Sequence, residues 1–133
     1  MSTNCTTITS SIETDASPDV ILEFLSDPRR IPAWAPGFAD MVDADDQGRW
    51  QVTKGGKSFL LDVVVCAPAQ TVDYLREVAP GIRSGAFIRV LPRVRGGSVI
   101  VMTLPIVPGV SAEETANVLD GELRALITIC VSR

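Results

Sequence analysis

The 133-residue sequence contains no histidine. Histidine is the most frequent general base in enzymes and the most frequent metal ligand in proteins. Its absence excludes Ser-His-Asp catalysis, Cys-His catalysis and any metal site that is built on imidazole ligands. We therefore expect neither a bound metal ion nor a cofactor.

Cysteines are few and widely spaced, at Cys5, Cys66 and Cys130. An odd number at such distant positions fits neither a disulfide framework nor a zinc motif, and it is typical of the reducing cytoplasm. The first residues also lack the basic and apolar regions of a secretion signal. From these features we expect a cytoplasmic protein.

Long apolar runs and basic clusters are missing as well. No run approaches the 18 or so apolar residues that a membrane-spanning helix needs, so we expect no membrane span. The net charge is −4, which argues against binding to nucleic acid. Aromatic residues make up only 5% of the chain, although 46% of it is hydrophobic. That composition fits a well-filled core and an apolar cavity equally well.

The clearest pattern present is a long amphipathic helix from Ser111 to Cys130. Ser111 and Glu114 have the spacing of a capping box, in which each side chain helps to satisfy the free amides of the first turn. Apolar residues then recur every three or four positions along one face. A helix of this length spans about 30 Å, so its apolar face must lie across an equally large apolar surface.

The rest of the sequence predicts a sheet of antiparallel strands. Thr6 to Thr14 alternates as a strand does, and Ser17-Pro18 then begins a short helix. From residue 38 to residue 104 strands alternate with tight turns, among them the hairpin signals Gly55-Gly56 and Gly96-Gly97. Successive hairpins imply antiparallel pairing, and the segregated helices indicate the α+β class. We expect a single domain over residues 1–133.

Several segments resemble the SRPBCC superfamily, also called START or Bet v 1-like, and in particular its bacterial polyketide cyclase/dehydrase-like branch. They are Ile12-Glu13 before Ser17-Pro18, the run Phe24 to Pro28, the run Ile31 to Gly37, and Thr103 to Leu126. The resemblance implies a helix-grip fold: a curved antiparallel sheet of about seven strands wrapped round a long C-terminal helix, with one or two short helices after strand 1. It also implies an apolar cavity between sheet and helix. Members include lipid and hormone carriers, aromatic-polyketide cyclases and quinone-binding proteins.

Tyr74 and Arg76 are the most informative candidate site residues. Their register places them with Val72 and Val78 on the face of the sheet that should point at the helix. A buried guanidinium is costly unless it is paired, so an inward Arg76 would either match an acid or await an anionic ligand group. Alternatively, a bulge reverses the register, or Arg76 extends to the rim.

We predict eight residues as ligand-binding: Trp34, Trp50, Phe59, Tyr74, Arg76, Met102, Leu119 and Leu123. Arg76 and Tyr74 would orient the ligand through polar contacts, and the others would supply apolar lining. For Trp34 and Trp50 plain core packing is the alternative. Three carboxylates near the predicted opening, Asp27, Asp40 and Glu122, are interpreted as surface or capping groups.

Three hypotheses for function follow. The first is binding of a small hydrophobic molecule, such as a lipid, a quinone or a polyketide, in the cavity. The second is a cyclase/dehydrase-like enzyme that positions a poly-β-keto chain and stabilises an enolate through Arg76 and Tyr74. The third is an interaction module whose cavity is filled by its own side chains. A homodimer through the sheet is compatible with the sequence, although no stretch specifies one.

Overall fold

The computed structural model describes residues 6–131. Its strands are β1 (Thr7–Thr14), β2 (Met41–Ala44), β3 (Trp50–Lys54), β4 (Lys57–Cys66), β5 (Thr71–Ala79), β6 (Ile82–Pro92) and β7 (Ser98–Pro105). Its α-helices are α1 (Pro18–Leu25), α2 (Ile31–Trp34) and α3 (Ala112–Val131), with a 3-10 turn (Pro28–Arg30) before α2.

The seven strands form one antiparallel sheet in the order β1-β7-β6-β5-β4-β3-β2. Each strand from β2 to β7 pairs with its neighbour in the chain, as expected for consecutive hairpins. The first strand returns to pair with the last, and Ser10 lies opposite Met102. The predicted α+β helix-grip fold is confirmed: a curved sheet holds a long C-terminal helix, and short helices follow strand 1.

Helix α3 begins with the predicted cap and lies across β1 and β7. The Glu114 amide donates to Ser111 Oγ over 3.0 Å. Nearer the middle of the helix, Ser10 Oγ donates to Asp120 Oδ1 over 2.6 Å and ties the helix to β1. The face of α3 that packs onto the core is made of Thr115, Leu119, Leu123, Leu126 and Cys130.

The short helices begin at the predicted positions. Ser17 caps α1 by accepting a hydrogen bond from the Val20 amide, and Pro18 occupies the first turn. Asp27 caps the 3-10 turn, which leads directly into α2. The strand expected over residues 38–44 is shorter than predicted, because β2 spans only Met41–Ala44. Within residues 6–131, no helix is both long enough and apolar enough to cross a membrane.

Gly85 marks the closest approach of two neighbouring strands. A Cβ atom at this position would lie 1.8 Å from the carbonyl oxygen of Tyr74 on β5. Only glycine, which has no Cβ, therefore fits here. Gly85 and Tyr74 both line the cavity described below.

Candidate ligand-binding site

A cavity of about 500 Å³ lies between the sheet and α3. Its walls come from α2 and the loop after it, from strands β5, β6 and β7, and from the outer edge of α3. The volume falls within the range of about 300–1,000 Å³ that is typical of small-molecule sites. Most of the lining is apolar, and the ionisable residues in it are Arg76, Glu77 and Glu122, besides the phenol Tyr74.

Arg76 enters the cavity wall from β5 without a partner for its buried Nε atom. The Nε–H has no hydrogen-bond acceptor among residues 6–131, and no carboxylate there forms an ion pair with the guanidinium. The guanidinium instead stacks on an aromatic ring, with its Cζ atom 3.7 Å from the centroid of Phe59. Stacking holds the charged group in place but leaves its in-plane donors unused.

Tyr74 also lines the cavity, but its hydroxyl is already engaged. The hydroxyl donates a hydrogen bond to the carbonyl of Leu25, the last residue of α1. At the end of a helix this carbonyl accepts no hydrogen bond from within the helix. Burial, with a smaller contribution from the charge of Asp27, raises the pKa of Tyr74 above its ordinary value. Because the hydroxyl donates its proton to Leu25, the cavity is offered mainly the ring of Tyr74; that this residue orients a ligand stays a prediction.

Glu122 reaches the same cavity from α3, although the sequence indicated a surface or capping group. It is half-buried, and burial raises the pKa of its carboxyl from 4.5 to about 7. A signal for this placement was present in the sequence. Val118 and Glu122 stand four residues apart beside the Leu119–Leu123 stripe, so they share one edge of the helix.

The other two carboxylates have the structural roles that were expected. Asp27 accepts hydrogen bonds from the amide and the side chain of Arg29, and the side-chain bond is the main reason that its pKa is lowered. Asp40 accepts from the Gly55 amide and from Lys54 Nζ, and the bond from Gly55 contributes most to lowering its pKa. Both carboxylates are thus used in holding turns.

Four of the eight predicted residues line the cavity: Trp34, Tyr74, Arg76 and Met102. The rings of Trp34 and Tyr74 lie with their centroids 6.3 Å apart, which joins α2 to β5 at the cavity wall. Both rings are almost fully buried, so Trp34 is a core residue as well as a lining residue. That these side chains bind a ligand stays a prediction.

Leu119 and Leu123 do not line the cavity. Both are almost fully buried in the stripe of α3 that packs directly onto the sheet and the short helices. The open space lies to one side of that stripe, where Val118 and Glu122 face it. The helical periodicity correctly predicted which face of α3 is buried. It did not predict the edge of α3 at which the sheet separates from the helix and leaves the cavity.

Trp50 on β3 and Phe59 on β4 also lie outside the lining, to which the sheet contributes only through β5, β6 and β7. Trp50 lies beneath the guanidinium of Arg29, whose Cζ is 5.8 Å from the ring centroid. The Phe59 ring packs edge-on against Phe38, and the guanidinium of Arg76 stacks on it. It therefore touches the site through Arg76 rather than as a wall of it.

The family described as "Polyketide cyclase / dehydrase and lipid transport" has a model that matches residues 6–133. The chain belongs to this family. No curated protein matches the chain in sequence. Membership agrees with the resemblance seen in the segments around α1, α2 and α3. The matched residues also include the whole of the sheet that forms the cavity.

Solved structures with the same fold span nearly the full length of this polyketide cyclase family member. A START superfamily protein from Mycobacterium smegmatis has a TM-score of 0.70 at 15% identity, with 96% of this chain and 99% of the other covered. The protein XoxI from Bacillus cereus has a TM-score of 0.69 at 18% identity, with 96% of each chain covered. The Zhui aromatase/cyclase from Streptomyces sp. R1128 has a TM-score of 0.64 at 15% identity, covering 96% and 94%. At these identities the likeness shows the fold.

Proposed function

We propose that the cavity binds a small hydrophobic molecule that carries one anionic or strongly electron-rich oxygen, held by Arg76. The observation that carries this proposal is Arg76, whose buried Nε atom has no hydrogen-bond partner among residues 6–131, in the wall of a mostly apolar cavity of about 500 Å³. The family description, which names both polyketide cyclases and lipid transport, supports a hydrophobic ligand.

The energetics of Arg76 favour a ligand with an oxygen that can accept. A buried donor without an acceptor costs free energy, about 1–3 kcal/mol and more for a charged group. A carboxylate, phenolate or enolate oxygen that reaches the guanidinium would form a charge-assisted hydrogen bond with it. Reaching Nε itself requires the surrounding side chains to shift, because that atom has almost no accessible surface. Because Phe59 already holds the guanidinium, little conformational entropy is lost when the bond forms.

The apolar walls would supply most of the affinity. Trp34, Met102, Leu104 and Val107 contribute lining from α2, β7 and the loop before α3. The open volume of about 500 Å³ also argues against the filled-core hypothesis, because a space filled by the protein's own side chains would fall below the roughly 300 Å³ at which small-molecule sites begin. Ligands of the size of a fatty acid, a quinone or a polyphenol fit the space.

A matched pair of fluorescent probes tests the proposal. Anilinonaphthalene sulfonate (ANS) carries a permanent negative charge, whereas N-phenyl-1-naphthylamine (NPN) has nearly the same rings without the charge. We expect Arg76→Leu to weaken ANS binding by about 10- to 100-fold, the value of one charge-assisted hydrogen bond, and NPN binding by less than about threefold. Arg89→Leu, which removes an exposed arginine, is the control and should change neither affinity.

A cavity-filling variant shows where the probes bind. Ala86 lines the cavity from β6, and Ala86→Phe would place a ring in the space that a ligand needs. We expect both probes to bind this variant at least about tenfold more weakly. Full affinity of both probes for a folded Ala86→Phe protein would refute the cavity as the site. Equal loss of ANS and NPN affinity in Arg76→Leu would refute the role of the guanidinium.

An enzymatic function is the second candidate, and one observation favours it. Arg76 and Glu122 bring an unpaired cation and a carboxyl that titrates near neutral pH to the same cavity. Arg76 would stabilise an enolate oxygen while Glu122 donates or accepts the proton, as aldol cyclisation and dehydration require. Turnover of a poly-β-ketone should then collapse in Arg76→Leu; binding with unchanged turnover in that variant would exclude the enzyme hypothesis.

A further inference from the structure

Arg76 and Glu122 lie in different walls of the same cavity and do not pair with each other. Arg76 comes from β5 and Glu122 from α3. No ion pair joins them within residues 6–131, and burial alone accounts for the altered titration of the carboxyl. A ligand group that reaches Arg76 therefore enters a space that also contains an unpaired carboxyl.

We propose that Glu122 determines which charge the cavity accepts, by taking up a proton when an anionic ligand binds at Arg76. The inference rests on the proposed function, because it requires a ligand anion beside Arg76. The protein would then take up the anion and one proton from solvent together, which is equivalent to binding the neutral acid. The ligand class that fits this exchange is an apolar weak acid, such as a carboxylic acid or a phenol.

The physical reason is the cost of two like charges in an apolar space. A ligand anion and an ionised Glu122 would repel each other across the cavity, whose walls are mostly apolar. Protonation of Glu122 removes the repulsion. Its carboxyl can do this near neutral pH, since burial has raised its pKa to about 7 before any ligand binds.

Other charged groups around Glu122 do not replace it in this role. The residues that α2, β6 and β7 present to the cavity are all uncharged, and β5 adds Glu77, which is exposed at the rim. On α3 itself, Asp120 accepts a hydrogen bond from Ser10 of β1, and Arg124 is exposed. Helix α1 brings Glu23 to the far end of α3, beside Cys130.

The test measures the ratio of ANS to NPN affinity between pH 6 and pH 8 by fluorescence titration. Using the ratio cancels any effect of Glu122 that an uncharged ligand also experiences. We expect the ratio to fall by about tenfold over this range in the wild-type protein, as full linkage to one proton on a group with a pKa of about 7 requires. It should stay constant within twofold in Glu122→Gln. Glu113→Gln, an exposed control on the same helix, should behave as wild type.

Calorimetry supplies a second readout that a purely structural role of Glu122 would not change. Titration of ANS at pH 7.5 in buffers of different ionisation enthalpy should show net proton uptake in the wild type and none in Glu122→Gln. A pH-independent ratio, or the same fall in Glu122→Gln, would overturn the inference. If Arg76→Leu still lowers the ratio in that case, the proposed function stands alone; failure of both probes to bind the cavity overturns both.

Discussion

The guanidinium carbon of Arg76 lies 3.7 Å from the centroid of the Phe59 ring. This contact places the cationic group at the cavity wall and orients its unpaired donor. Phe59 is itself held by the edge of Phe38. Phe59 therefore supports the polar end of the site from outside the lining, whereas Phe38 is itself part of the cavity wall.

Replacing Phe59 with leucine should loosen Arg76 without emptying the core. A cation–π contact contributes about 0.5–2 kcal/mol, so we expect ANS affinity to fall by about three- to tenfold while NPN affinity changes by less than twofold. Phe87→Leu removes a ring that is 43% exposed on β6 and serves as the control. Equal effects of Phe59→Leu on the two probes would show that the ring acts only by filling space.

Tyr74→Phe should lower stability more than it lowers binding. The substitution leaves the buried Leu25 carbonyl at the end of α1 without its donor, at a cost of about 1–3 kcal/mol in the free energy of unfolding. The ring stays in the cavity wall, so the affinity for either probe should change by less than twofold. Urea denaturation and probe titration on the same preparations measure both. Unchanged stability with a large loss of ANS affinity would restore the hydroxyl as a ligand contact.

Gly85→Ala should be strongly destabilising, because its Cβ would overlap the Tyr74 carbonyl oxygen. We expect a loss of more than about 2 kcal/mol, since backbone atoms on β5 or β6 must move. Gly121→Ala is the matched control. Its Cβ would meet nothing within 4 Å on α3, so the same substitution should raise stability by about 0.5–1 kcal/mol there. Similar destabilisation at both sites would contradict the close strand approach at Gly85.

Glu122 should make stability decrease as pH rises. Its folded pKa, about 7, lies above the ordinary 4.5, so the folded state binds more protons than the unfolded state between these values. Below pH 4.5 the Glu122 carboxyl does not lower the free energy of unfolding. As the pH passes 7, its ionisation lowers the free energy of unfolding by at most about 3 kcal/mol. Glu122→Gln should therefore be more stable than wild type at pH 8 and equal to it at pH 4. A gain that is the same at both pH values would show that ionisation is not its cause.

The sequence predicted those features that depend on local periodicity. The stripe of α3, the alternation of the strands, the Gly55-Gly56 and Gly96-Gly97 turns and the caps at Ser17 and Ser111 all involve residues within a few positions of each other. Each of these predictions matches an observed element.

Contacts between distant segments could not be predicted in the same way. The bond from Tyr74 to Leu25 joins residues 49 positions apart, and no local pattern indicates it. The periodicity of α3 likewise identifies Leu119 and Leu123 as buried, but the position of the cavity depends on where the curved sheet leaves the helix. That separation brings Glu122 into the site and keeps the two leucines in the core.

Native mass spectrometry shows whether the space between sheet and helix holds a ligand. Freshly purified protein is measured before and after organic extraction, and the extracted protein is then titrated with fatty acids, quinones and polyphenols. We predict a one-to-one adduct with at least one of these classes, lost in Ala86→Phe. A mass that stays free of adducts with every class, or adducts that Ala86→Phe retains in full, would show that this space is not a ligand site.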